Sequence, residues 1–138
     1  MQIKRNATAQ WIGAGKDGKG TLTTQSGVLN NTQYSFNTRF EDGIGTNPEE
    51  LVAAAHAGCF SMQLAFNLQG AGFTAESIDS NSVVILENGA INEVNLTTKV
   101  KAPGLDQAKF DELVTHAKEN CPISKLLKAT ITLDAQLL

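Results

Sequence analysis

The periodicity of apolar and polar positions changes several times along this chain, and each change marks an element. Across residues 2–40, Thr, Ser, Gln and Gly interrupt the apolar positions, and GAGKDGKG (13–20) and LNNTQ (29–33) are turn signals. This pattern predicts three strands in a meander. In QYSFNTRF, Tyr34, Phe36 and Phe40 alternate with Gln33, Ser35, Asn37 and Arg39. The third strand is therefore expected to run through Arg39, with its guanidinium on the face opposite the rings.

A different period begins at TNPEE. Asn47 suits an N-cap, Pro48 the first helical position and Glu50 the position that reaches back to the cap. The helix should continue to about Leu68 and stop at GAG (70–72); its apolar residues point in every direction, which predicts burial on most sides. Two strands follow, about 76–87 and 91–101, joined by an Asn88-Gly89 pair of the kind type I′ hairpins favour. Asp106 is placed to cap a helix with an apolar stripe of Phe110, Leu113, Val114 and Ala117. CPISKLLKA starts another helix at Pro122, and TITLDAQL alternates as a closing strand. The order βββ-α-ββ-α-α-β is α+β, with an antiparallel sheet expected on the long helix. There is no internal repeat.

Composition narrows this picture. A chain of 138 residues is enough for one domain, 1–138, and short for two, so a large active site would be shared between subunits. A net charge of −3 without a basic run excludes a nucleic-acid footprint. No secretory pattern opens the chain, and His56, Gln63 and Asn67 interrupt the apolar stretch 51–68. A soluble, cytoplasmic protein with no membrane partner is expected. The two cysteines then read as free thiols or as one redox couple.

Cys59 lies eleven residues past Pro48, beyond the reach of the helix N-terminus. It is either an inert apolar filler, its ionisation opposed by burial, or a nucleophile activated by a cation from another element. Arg39 is the candidate cation; its plainer role is a solvated strand face. Glu49 either complements the helix dipole or orients Arg39 bidentately, but it stands about 15 Å along the helix from Cys59. If the two share a site, that site lies between two chains, with long helices packed across a two-fold axis.

Cys121 falls at the start of the CPISKLL helix, with Lys125 four residues on, and by electrostatics is the better thiolate. Sequence leaves open which sulfur attacks first, but the pair suits a cycle of sulfenic acid and disulfide. An alternative gathers His56, Cys59, His116 and Cys121 as a Cys₂His₂ zinc site. No phosphate-binding glycine loop is present, because GAGKDGKG lacks GK[ST].

SGVLNN, YSFNTRF, GTNPEELVAAAHAGCFSM, AGFTAESID and CPISKLLKATITLDAQL occur in order over nearly the whole chain. Together they resemble the OsmC branch of the OsmC/organic hydroperoxide resistance (Ohr) family. The resemblance implies an intertwined homodimer with antiparallel sheets around long central helices and two active sites at the interface. It also implies an antioxidant, stress-response thiol peroxidase that reduces organic hydroperoxides to alcohols without metal, flavin or haem.

In that reading Cys59 is peroxidatic and Cys121 resolving, Arg39 activates the thiolate, Glu49 positions Arg39, and an external thiol reopens the disulfide. The alanines around Cys59 would let a second helix approach closely. The Ohr branch carries its arginine in the loop where this chain has Lys16, so a lipoyl dithiol reductant is implied for Ohr and is only an option here. A non-catalytic dimer that binds an apolar ligand at its interface is the remaining alternative.

Overall fold

β1 (Ala7–Ile12), β2 (Lys19–Thr24) and β3 (Thr32–Tyr34) form the expected antiparallel meander, in the order β1-β2-β3. The computed structural model describes residues 1–40 and 43–138, which divide into two compact units, Met1–Leu51 and Val52–Leu138. In the first unit, Gly20 is paired with Trp11 on one side and Tyr34 on the other, and a Cβ at this position would run into both rings. The missing side chain is what allows the two aromatics to approach, with centroids 5.4 Å apart.

The third strand is shorter than its alternation predicts. The chain leaves the sheet at Ser35 and forms a helical turn, α1 (Phe36–Phe40), so Arg39 is helical and not on a strand. Ser35 and Thr38 cap each other: the Thr38 N–H donates to Ser35 Oγ at 3.2 Å and the Ser35 N–H to Thr38 Oγ1 at 3.0 Å. Phe36 and Phe40, four residues apart, stack with centroids 4.7 Å apart. A spacing of four fits a strand and a helix equally, and the local caps decide between them.

α2 (Pro48–Gly70) begins as its signals predict, with the Glu50 N–H donating to Asn47 Oδ1 at 2.8 Å. The Glu50 carboxylate, expected to reach back to the cap residue, instead accepts the hydroxyl of Thr46 at 2.7 Å, one residue before the cap. At the far end Gly72 adopts a φ of 90° and the Phe73 N–H returns to the Leu68 carbonyl at 2.9 Å. Burial falls on one stripe, His56, Phe60, Leu64 and Leu68, whereas Met62 and Phe66 are each 63% exposed. The expected burial on most sides is therefore not met within one chain. By length and composition α2 is long and apolar enough to cross a membrane, but its buried stripe belongs to the core of the second unit.

The second unit pairs β4 (Ser77–Glu87) with β5 (Ala90–Lys101) in an antiparallel hairpin. Asn88 and Gly89 turn it with φ of 52° and 76°, the signs a type I′ turn needs. α3 (Gln107–Asn120) carries the predicted stripe of Phe110, Leu113, Val114 and Ala117, and α4 (Pro122–Leu126) follows after Cys121 alone. β6 (Thr130–Leu137) then pairs with β5 in parallel, so this sheet is mixed and not the antiparallel one expected. The α3–α4 segment makes the long crossover that a parallel neighbour requires. Val94, Leu96 and Val100 of β5 join Phe60, Leu64 and Leu68 of α2 and the α3 stripe in the core. A hydroxyl chain from Ser61 through Ser80 to Thr98, with links of 2.7 and 3.0 Å, ties α2 to the sheet.

Candidate active site

Cys121 is placed by two helices at once. Its N–H closes α3 on the Ala117 carbonyl at 3.0 Å, and its sulfur caps α4 by accepting the Ser124 N–H at 3.4 Å. α4 is a single turn, so these local groups, and not a long helix dipole, surround the sulfur. The side chain is fully buried, and the Ser124 hydroxyl lies 3.0 Å from Sγ. Lys125, expected to add positive charge here, is exposed and makes no ion pair among the described residues.

Cys59 is half-buried and packs against the core that includes Cys121, and both cysteines are free thiols. Burial pushes its thiol above the ordinary range. An N–H of Ile123 partly opposes that rise, and the neighbouring Cys121 thiol adds to it by hydrogen bonding and by charge. No cation figures among these influences. The structure thus makes the two thiols neighbours, and the activating cation expected from sequence is not among the groups that act on Cys59.

Arg39 and Glu49 are brought together in the first unit. Arg39 Nε donates to Glu49 Oε1 at 2.6 Å; the guanidinium is 41% exposed and the carboxylate 10%. The pair is monodentate, not the bidentate contact expected, and Glu49 Oε2 is buried without a partner among the described residues. Arg39 also lines a cavity of about 130 Å³ with Trp11, Tyr34, Phe36 and Pro48. This cavity presents rings beside a guanidinium whose terminal nitrogens are not engaged by Glu49. A larger hollow of about 690 Å³ lies over Gly58, Ser61, Asp79, Lys99 and Asp134 and holds neither thiol.

The four zinc candidates do not converge. His56 is fully buried with Nε2 2.7 Å from Ser124 Oγ, whereas His116 is exposed with Nδ1 3.1 Å from the Asn67 amide nitrogen. Among the described residues, no three His, Cys, Asp or Glu side chains gather to hold a metal ion.

Sequence reasoning passed over Ser124, which contacts both His56 and Cys121. Its signal was present in CPIS, where a serine three residues after a cap position faces the capping sulfur. Trp11 was also missed, and Tyr34 and Phe36, expected on the face opposite Arg39, line the same cavity as its side chain, because Arg39 is helical and strand pairing brings Trp11 to Tyr34.

Two neighbouring thiols between a long core helix and a one-turn helix define a dithiol centre on an α+β scaffold. The chain belongs to the OsmC-like protein family, whose model matches residues 41–136. It is similar to the peroxiredoxin OsmC of Escherichia coli (strain K12), 51% identical over 141 residues and 99% of each chain. It is also similar to the organic hydroperoxide resistance protein OhrB of Bacillus subtilis (strain 168), at 30% over 120 residues, 86% of this chain and 88% of that one. The solved structure of an organic hydroperoxide resistance protein OsmC from Legionella pneumophila superposes with a TM-score of 0.70 at 22% identity, covering 99% of this chain and 98% of that one. At that identity the likeness concerns the fold.

Proposed function

We propose that this protein is a cysteine-based peroxidase that reduces organic hydroperoxides to alcohols. The observation that carries this reading is the proximity of Cys59 and Cys121 within one unit, and similarity to a peroxiredoxin supports it. The Cys59 thiolate attacks the terminal oxygen of the hydroperoxide; the O–O bond breaks, the alkoxide takes a proton to become the alcohol, and Cys59 becomes a sulfenic acid. Cys121 is already adjacent and condenses with it to a disulfide, releasing water. An external dithiol, of lipoyl type or similar, reduces that disulfide by exchange.

Arg39 supplies the charge that the Cys59 surroundings lack, and its terminal nitrogens stabilise the leaving alkoxide. Glu49 fixes the guanidinium through Nε and leaves those nitrogens to the substrate. The exposed apolar face of α2, with Met62 and Phe66, is covered by a second copy of the chain, and the arginine of one copy serves the thiols of the other. The whole chain then acts as one OsmC-like domain of a homodimer in the cytoplasm. The aromatic cavity beside Arg39 suits the apolar group of an organic hydroperoxide.

The test is single turnover of the reduced protein with cumene hydroperoxide. The alcohol should appear together with an intramolecular Cys59–Cys121 disulfide, read as a loss of two hydrogens by intact mass. A Cys59→Ser variant that kept full turnover would defeat the proposal.

A further inference from the structure

Resolution needs a proton to leave Cys121, and the geometry around that thiol restricts where it goes. Cys121 is fully buried, so bulk water does not touch its sulfur. Its polar neighbours are Cys59 and Ser124, and the Ser124 hydroxyl is in turn 2.7 Å from Nε2 of a fully buried histidine. Two helices far apart in sequence thus place imidazole, hydroxyl and thiol in successive contact.

We propose that His56 and Ser124 form the proton path of the resolving step, with Ser124 receiving the Cys121 proton while handing its own to His56 Nε2. The proposal rests on the peroxidase reading above. As Cys121 sulfur bonds to the sulfenic sulfur of Cys59, the S–O bond breaks and hydroxide leaves. The proton held by His56 returns through Ser124 and completes the water. One thiol and one sulfenic acid become one disulfide and one water; Cys121 is oxidised, the Cys59 sulfur is reduced, and the imidazole ends neutral.

The surroundings favour such a path. Desolvation holds the imidazole below its ordinary pKa, so the ring is neutral at neutral pH, and Nε2 is the acceptor in the tautomer that carries its proton on Nδ1. The titratable groups on the path are His56 and the two thiols. His116 of α3 is engaged with Asn67, Lys125 of α4 is exposed, and no ion pair among the described residues involves His56. His56 touches no reacting atom, so it is a positioning residue acting through Ser124.

The test follows the two steps separately. Reduced protein is mixed anaerobically with one equivalent of cumene hydroperoxide, and sulfenic acid and disulfide are quantified by quench and mass over about pH 6 to 9. Wild type should resolve at a rate nearly independent of pH above about 7, because the path replaces prior ionisation of the thiol. Ser124→Ala and His56→Gln should slow resolution relative to sulfenic acid formation by about tenfold or more near neutrality. Their resolution rates should then climb with pH as solvent hydroxide takes over as proton acceptor, and Ser124→Thr should restore the flat profile. Variants that resolve at the wild-type rate with a flat profile would overturn this proposal alone. A wild type that forms no sulfenic acid would overturn it together with the peroxidase reading.

Discussion

Burial gives His56 and Cys59 opposite responses to pH. His56 is held below its ordinary value, so as pH falls through about 6.5 the unfolded chain takes up a proton that the folded chain refuses, and stability declines. Cys59 is raised, so the unfolded thiol ionises first as pH rises through the ordinary thiol range, and stability declines there too. Urea unfolding of the reduced protein at several pH values should show both limbs, and His56→Gln should flatten the acid one. At this scale the two sulfurs and Arg39 stood out as candidates because Cys and Arg each occur only twice, and Glu49 stood out because a carboxylate could orient that arginine. It concealed Ser124, which is common in turns and acquires a role only when α2 brings His56 to it.

Among the elements, those with explicit end signals were the most legible. Asn47, Asp106 and the Asn88-Gly89 turn all act where their chemistry places them. Asp106 Oδ1 accepts the Lys109 N–H at 2.8 Å, so Asp106→Ala should lower unfolding free energy by about 1 kcal/mol, measured by denaturant titration, while Asp106→Asn should stay close to wild type. The third strand misled because Phe36 and Phe40 are spaced for either period, and the deciding bonds are those of the Ser35 and Thr38 side chains. The parallel pairing of β6 was illegible for another reason. Alternation in TITLDAQL fixes which residues share a face, but direction depends on where α3 and α4 deliver the chain.

For the molecule as a whole, α2 is the informative element. Its apolar residues on all sides correctly predicted more hydrophobic surface than one chain covers, although the expected burial is not found in the single chain. Covering Met62 and Phe66 with a second copy would remove about 25 cal/mol of unfavourable exposure for each Å² of apolar area buried. In the homodimer proposed above, Phe66→Glu should therefore shift the equilibrium toward monomer, seen by sedimentation velocity. Turnover should fall with it if the arginine is shared between copies. A variant that remained dimeric with full activity would place the interface on another face.

Cys121 ends one helix and begins the next, so in the proposed cycle its sulfur is both a reactant and a joint. Once it is bonded to Cys59, its direction is dictated by the disulfide torsion, and it can no longer be aimed freely at the Ser124 N–H. The first turn of α4 would then lose its cap each time the protein is oxidised. The amide of Ser124 becomes a natural gauge of redox state: its hydrogen exchange should quicken on oxidation and slow again on reduction, with no label attached to either sulfur.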